Sequence, residues 1–296
     1  MEQKKTSVKS SLLLFLAAVI WGVAFVAQSV GMEYMGPLTF NGARFLIGAV
    51  VLLPVIWYRE HKKAGEKEKG GRKEVLAGGV CCGLALCIAS LLQQFGILYT
   101  TVGKAGFITT LYIIIVPVCG IFLRKKVGAK IWIGALIAVI GMYLLCISGN
   151  FSISKGDSFV LGCAFAFSVH ILVVDYFSPK TNGVKLSCMQ FFTSGVICTI
   201  LALFLERPDL HALTAGIVPL LYAGVMSCGV AYTLQVIGQK NVEPTIASLI
   251  LSLESSVSVL AGWILLDQKL SVRELSGCAL VFAAVILVQL PEKKKG

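Results

Sequence analysis

Apolar residues in this chain run in blocks of about twenty, divided by short breaks that carry Lys, Arg, Gly or Pro. They follow neither the period of two of a half-buried strand nor the narrow stripe of a surface helix. A helix needs about 20 mostly apolar residues to cross the hydrocarbon of a bilayer. That rule predicts ten spans, at 11–30, 38–58, 75–98, 103–123, 131–148, 158–177, 186–206, 214–236, 244–266 and 272–290. Most breaks are shorter than ten residues, and connections that short make successive helices antiparallel. The pattern therefore predicts an all-α membrane protein with about ten transmembrane helices. Lys4, Lys5 and Lys9 precede the first apolar run, as in a signal peptide. The run is too long for such a segment and no A-x-A site follows, so an uncleaved first helix is expected.

Composition agrees. The 296 residues are 57% hydrophobic and 14% charged, with a mean hydropathy of +0.86. A soluble domain carries about 25% charged residues, so lipid must solvate most of this chain. The net charge of +11 does not point to nucleic acid as a partner, because the cations sit in the breaks. With the N-terminus in the cytoplasm, inside segments hold 20 Lys and Arg and outside segments hold 5, with Arg44 within a span. Cytoplasmic loops carry the excess of Lys and Arg, so both termini are expected inside the cell, in a multi-pass protein of the cytoplasmic membrane. The longest break, 59–74, also holds Glu60, Glu66, Glu68 and Glu74. It is read as a solvated cytoplasmic connection rather than an anionic-lipid site.

All ten cysteines lie in apolar stretches, and none has CxxC or zinc-finger spacing. They read as small packing residues, with no metal and no cofactor implied. No P-loop is present, so ATP is not expected to power the protein directly. The residues leave a homodimer open.

The halves of the chain resemble each other. Gln93-x-x-Gly96 recurs as Gln235-x-x-Gly238, and 126–145 aligns with 269–288, placing Gly134 on Gly277. TFNGARF (39–45) aligns with LSCMQFF (186–192). Five spans per half is an odd number, so the second half enters the membrane inverted. Inverted repeats are a recurrent transporter architecture, with the substrate near the midplane between the halves. The expected repeats are 11–148 and 158–290.

Several stretches carry a specific resemblance. Trp21-Gly22, Pro37 and Arg44 lie in the first two spans. Residues 231–277 hold Tyr-x-x-Gln at 232–235, Gln239-Lys240, Leu253-Glu254 and an acidic residue before a basic one at 267–269. From about 11 to 290 the chain resembles the EamA-like members of the drug/metabolite transporter superfamily. It departs from them at Ser255, where Pro is usual, and at Asp267, where Glu is usual. The first departure puts a kink in the ninth span in question, the second the following turn. The resemblance implies ten helices in two inverted repeats and a central cavity lined by the first, third, fourth, sixth, eighth and ninth. It also implies a small-molecule solute, such as an amino acid or a related metabolite, as cargo.

Some polar residues lie at bilayer depth, where a charge costs about 2.5–3.5 kcal/mol on insertion scales. Glu254 is about ten residues into the ninth span, roughly 15 Å deep at 1.5 Å per residue. Desolvation there favours the neutral acid, the property a proton carrier needs. A Glu that only ties helices together is the other reading. Arg44 cannot shed its proton. It could hold a substrate carboxylate, or snorkel outward and pair in the loops. His170 could titrate or be simply hydrogen-bonded. Asp175 reads as interfacial. Trp21, Gln28, Gln93, Tyr112, Tyr232 and Gln235 are candidates for the cavity wall, with plain helix packing as the alternative. Pro117 is expected to kink the fourth span, and Gly79-x-x-x-Gly83 and Gly134-x-x-x-Ala138 to let helices approach closely. An intramembrane enzyme would need an acid/base or metal set at one depth, and neither HExxH nor a paired-Asp motif occurs. A structural or receptor-like membrane protein is a third class. Solute flux in liposomes separates the transporter from both.

Overall fold

A computed structural model describes residues 8–62, 71–100, 102–122, 127–146, 154–266 and 271–290. Asp267 and residues 63–70 of the 59–74 break lie outside the described residues. Ten helical spans are present among those described. They are α1 (Val8–Gly31), α2 (Pro37–Lys62), α3 (Arg72–Ile97), α4 (Val102–Thr109 with Tyr112–Phe122) and α5 (Ala129–Cys146). The second five are α6 (Lys155–Phe177), α7 (Gly183–Leu205), α8 (Ile217–Leu221, Tyr222–Tyr232 and Thr233–Gln239), α9 (Pro244–Leu251 with Leu253–Leu266) and α10 (Val272–Gln289). The shortest, α5 and α10, have 18 residues each, about 27 Å at 1.5 Å per residue, near the lower limit for crossing the hydrocarbon.

Local chemistry sets the ends. Ser154 and Asp157 form a capping box at the start of α6, and Ser271 and Glu274 another at the start of α10. Asn182 caps α7. Pro37 and Pro244 sit at first helical positions, where a missing N–H costs nothing. The eighth span begins later than 214, because Asp209 caps a separate short helix, Leu210–Ala215, that ends at Gly216.

The packing repeats itself. α3 lies on α6 as α8 lies on α1, and α3 on α7 as α8 on α2. α4 lies on α6 as α9 lies on α1, while α2–α7, α4–α9 and α5–α10 pair each helix with its own counterpart. Each of these pairings has a mate under exchange of the halves, as two inverted five-helix repeats require. The two matched glycines show it at atomic scale. A Cβ on Gly96 would come within 2.3 Å of Val160, and one on Gly238 within 2.9 Å of Leu14. Gly79 and Gly83 face α7 in the same manner, and Gly134 faces α10.

The outer surface suits lipid. Leu12, Leu16, Val50, Leu53, Leu84 and Ile88 are exposed on it. Exposed Trp57, Tyr58 and Tyr176 mark the level at which α1 begins and α10 ends, and Tyr34, Tyr99 and Trp263 the opposite level, the two belts where amphipathic rings collect. The nine described cysteines are free thiols, most of them buried, and Cys87 and Cys198 face each other across α3 and α7 at 3.6 Å.

Candidate functional site

A partly open pocket lies between helices of both halves, with a cavity volume of about 30 Å³. Its waist is aromatic. Trp21 of α1 meets Tyr232 of α8 edge-on, ring centroids 4.5 Å apart. The Trp21 indole N–H donates to the Ser227 carbonyl at 3.4 Å, which fixes the ring across the gap. Phe25, one turn along α1, and Phe167 of α6 complete the apolar wall with Ile171 and Leu251. Ser227 and Tyr232 sit on Tyr222–Tyr232, a π-helical stretch of 11 residues. Such wider turns are rare and occur mostly at functional sites.

Opposite the waist, α4 and α9 are both interrupted. In α4 the Thr110 hydroxyl donates to the carbonyls of Gly106 and Phe107, and Leu111 N–H bonds to Ile108 three residues back. In α9 the serines at 248, 252, 255 and 258 each donate to the carbonyl three residues earlier. Such back-bonding competes with the helical ladder and bends it. The ninth span is thus interrupted at Ser252 without a Pro at 255. The fourth is not interrupted at Pro117, which lies inside Tyr112–Phe122; its break falls at Thr110–Leu111, where the hydroxyl bonds draw the turn tight. Just past these breaks the two halves join. The Tyr112 hydroxyl donates to Glu254 Oε1 at 3.0 Å.

The end of the cavity away from the termini is polar. Arg44 of α2, Gln28 of α1 and Gln93 of α3 line it. Arg44 does not snorkel: it is 2% exposed. Its Nε donates to Asn41 Oδ1 at 2.8 Å, and the guanidinium lies 4.8 Å over the Phe45 ring. Asn41 is held in turn by the Ser90 carbonyl, so this cation is turned into the bundle. Arg44 Nη2 and Gln28 Oε1 are buried without partners. Gln93 bonds Thr109, and Gln235 lines the opposite end with its Oε1 also unpartnered.

The structure thus brings together around one cavity Trp21, Gln28, Arg44, Gln93, Tyr112, Tyr232, Gln235 and Glu254. It leaves His170 behind the wall. That ring bonds Gln190 at 3.1 Å and meets Tyr232 edge-on at 6.0 Å. Asp175 is half-buried near the end of α6. Phe25, Ile171, Ser227 and Leu251 were not singled out from the sequence, since apolar and small residues inside a span carry no mark of the face they occupy. Internal symmetry is the signal that finds one of them: Ile171 follows Phe167 as Phe25 follows Trp21.

A model of the EamA-like transporter family matches the chain twice, at residues 8–147 and 154–290. The chain belongs to the EamA-like transporter family. An uncharacterized transporter of Archaeoglobus fulgidus is 30% identical over 278 residues, covering 94% of this chain and 84% of that one. The uncharacterized inner membrane transporter YedA of Escherichia coli K12 is 24% identical, covering 94% of this chain and 89% of its own. A solved crystal structure superposes with a TM-score of 0.78 at 17% identity, over 95% of this chain and 96% of the other, a likeness of fold. As an EamA-like protein the chain is a multi-pass membrane transporter of small solutes, not an enzyme.

Proposed function

We propose that this transporter moves an amino acid or a related metabolite out across the cytoplasmic membrane by alternating access, and that Glu254 couples the movement to protons. The carrying observation is the cavity itself. Helices of both halves wall it, and at its centre Tyr112 and Glu254 bond the halves to each other. The halves 11–148 and 158–290 rock about that space, with both termini in the cytoplasm. Glu254 is the one acidic group on the described wall. Taking up a proton there would weaken its hold on the Tyr112 hydroxyl as an anionic acceptor and leave a neutral pair. One proton crossing about 100 mV supplies about 2.3 kcal/mol, and each pH unit adds about 1.4 kcal/mol, enough to drive uphill export.

The test is transport by purified protein in liposomes. Preloaded unlabelled solute should drive uptake of labelled solute from a panel of amino acids and organic acids, and an imposed pH gradient should drive its accumulation. Counterflow without response to the pH gradient removes the proton from the reading. Turnover of a lipid or peptide without solute flux removes the whole of it.

A further inference from the structure

Arg44 is an unusual charge to find where it is. A guanidinium taken out of water needs an anion or a full set of acceptors. Here Nε has Asn41, and the Phe45 ring supports the planar face. Nη2 has nothing, and among the described residues no carboxylate lies in ion-pair contact with Arg44. The acidic groups nearest in role are already engaged. Glu254 accepts from Tyr112, and Glu206 accepts from Leu38 N, Thr39 N and the Thr39 hydroxyl, capping α2. The unpaired N–H belongs to a residue that lines the cavity. Gln28, on the same stretch of wall and 4% exposed, leaves its Oε1 unpaired too. The residues lining this end of the cavity thus include a buried cationic donor and a buried neutral acceptor, neither satisfied by the chain.

We propose that this end is a carboxylate site. Arg44 Nη2 donates to an oxygen of the solute's carboxylate, and Gln28 Oε1 accepts from an N–H or O–H carried by the same solute. This rests on the transporter reading and narrows its cargo to small carboxylates that bear a hydrogen-bond donor, among them α-amino and α-hydroxy acids. A single guanidinium balances a single negative charge. Among the described residues no second cation lines the wall, so a phosphate dianion is not matched. The aromatic waist of Trp21 and Tyr232 then receives the rest of the molecule.

The experiment uses the full chain in lipid nanodiscs and pairs of probes that differ only in the charged group. The pairs are phenylalanine, leucine, threonine and lactate, each against its primary amide, with inorganic phosphate as a separate probe. Calorimetric binding should show at least one acid bound, its amide weaker by about tenfold to a hundredfold, the scale of a hydrogen bond to a charged group, and phosphate unable to displace the acid. Arg44→Gln should erase the preference for acid over amide, and Arg44→Lys should restore part of it. The proposal is overturned if no acid binds, if an amide binds as tightly as its acid, if phosphate displaces the acid, or if the Gln variant keeps the preference. Should Arg44→Gln fail to fold, the acid–amide comparison in the unsubstituted chain decides alone. Flux of amides equal to that of acids overturns the site and spares the transporter. Arg44-dependent binding of an acid that never crosses the bilayer overturns the transporter and spares the site.

Discussion

Three side chains of the cavity wall divide two duties in the proposed mechanism. Trp21 and Tyr232 offer area, and Glu254 a proton site. Truncating either ring removes a buried aromatic contact, so Trp21→Ala and Tyr232→Ala should each weaken solute binding by about 1–3 kcal/mol, measured by calorimetry. Exposed Leu84→Ala should leave binding unchanged. Glu254→Gln keeps shape and hydrogen bonding but cannot ionise. Accumulation driven by a pH gradient should fall roughly tenfold for each pH unit imposed, the ~1.4 kcal/mol one proton carries across it, while solute-for-solute exchange survives. Full gradient-driven transport in this variant would show that the proton travels elsewhere. These residues were legible because polar and aromatic side chains at mid-span are conspicuous against an apolar background. His170 was conspicuous in the same way, yet its ring lies behind the wall on Gln190. Sequence gives depth along a helix. It does not give the side of the helix that faces the cavity.

Helices reveal themselves less evenly. Ten spans could be read from apolar length alone, but not where the eighth begins, which the cap at Asp209 sets. The two breaks in α4 and α9 could not, because they depend on hydroxyl groups bonding back to carbonyls, which serines and threonines in many straight helices also do. The π-helical stretch of α8 has no sequence mark at all. What the sequence did mark were the small residues at crossings. A methyl group on Gly96 or Gly22 would lie 2.3 Å from Val160 or 2.5 Å from Val257, whereas one on Gly106 finds nothing nearer than 3.7 Å. Gly96→Ala and Gly22→Ala should therefore cost about 1–3 kcal/mol by overpacking, read as earlier loss of tertiary structure on heating in detergent. Gly106→Ala should melt with the parent. Equal melting of all three would mean that the helices do not cross as described.

At the scale of the molecule, the charge of the breaks decides orientation. A reporter fused after Gly296 should be active only in the cytoplasm. A cysteine at Glu33, placed in a chain without its other exposed thiols, should react with an impermeant reagent added outside intact cells, and one at Gly65 should not. Reaction at Gly65 from outside reverses the topology. The repeat was legible from a handful of matched residues because an odd number of spans per half leaves one geometric outcome. Which face of each half meets the other was not, since lipid-facing and cavity-facing surfaces are both apolar.

The bond between Tyr112 and Glu254 joins the two places where the halves correspond, yet the occupants differ. A body made of two like pieces turned over against each other would read the same from either side of the bilayer. Its inward-open and outward-open forms would then weigh equally. Planting a phenol on one piece and a carboxyl on the other breaks that likeness, as Trp21 against Phe167 also does. Exchanging the two, Tyr112→Glu with Glu254→Tyr, would hand the acid to the other piece. If the proposed alternating access holds, that exchange should shift the balance between inward-open and outward-open forms, read as a change in the labelling of cysteines placed at the two mouths of the cavity.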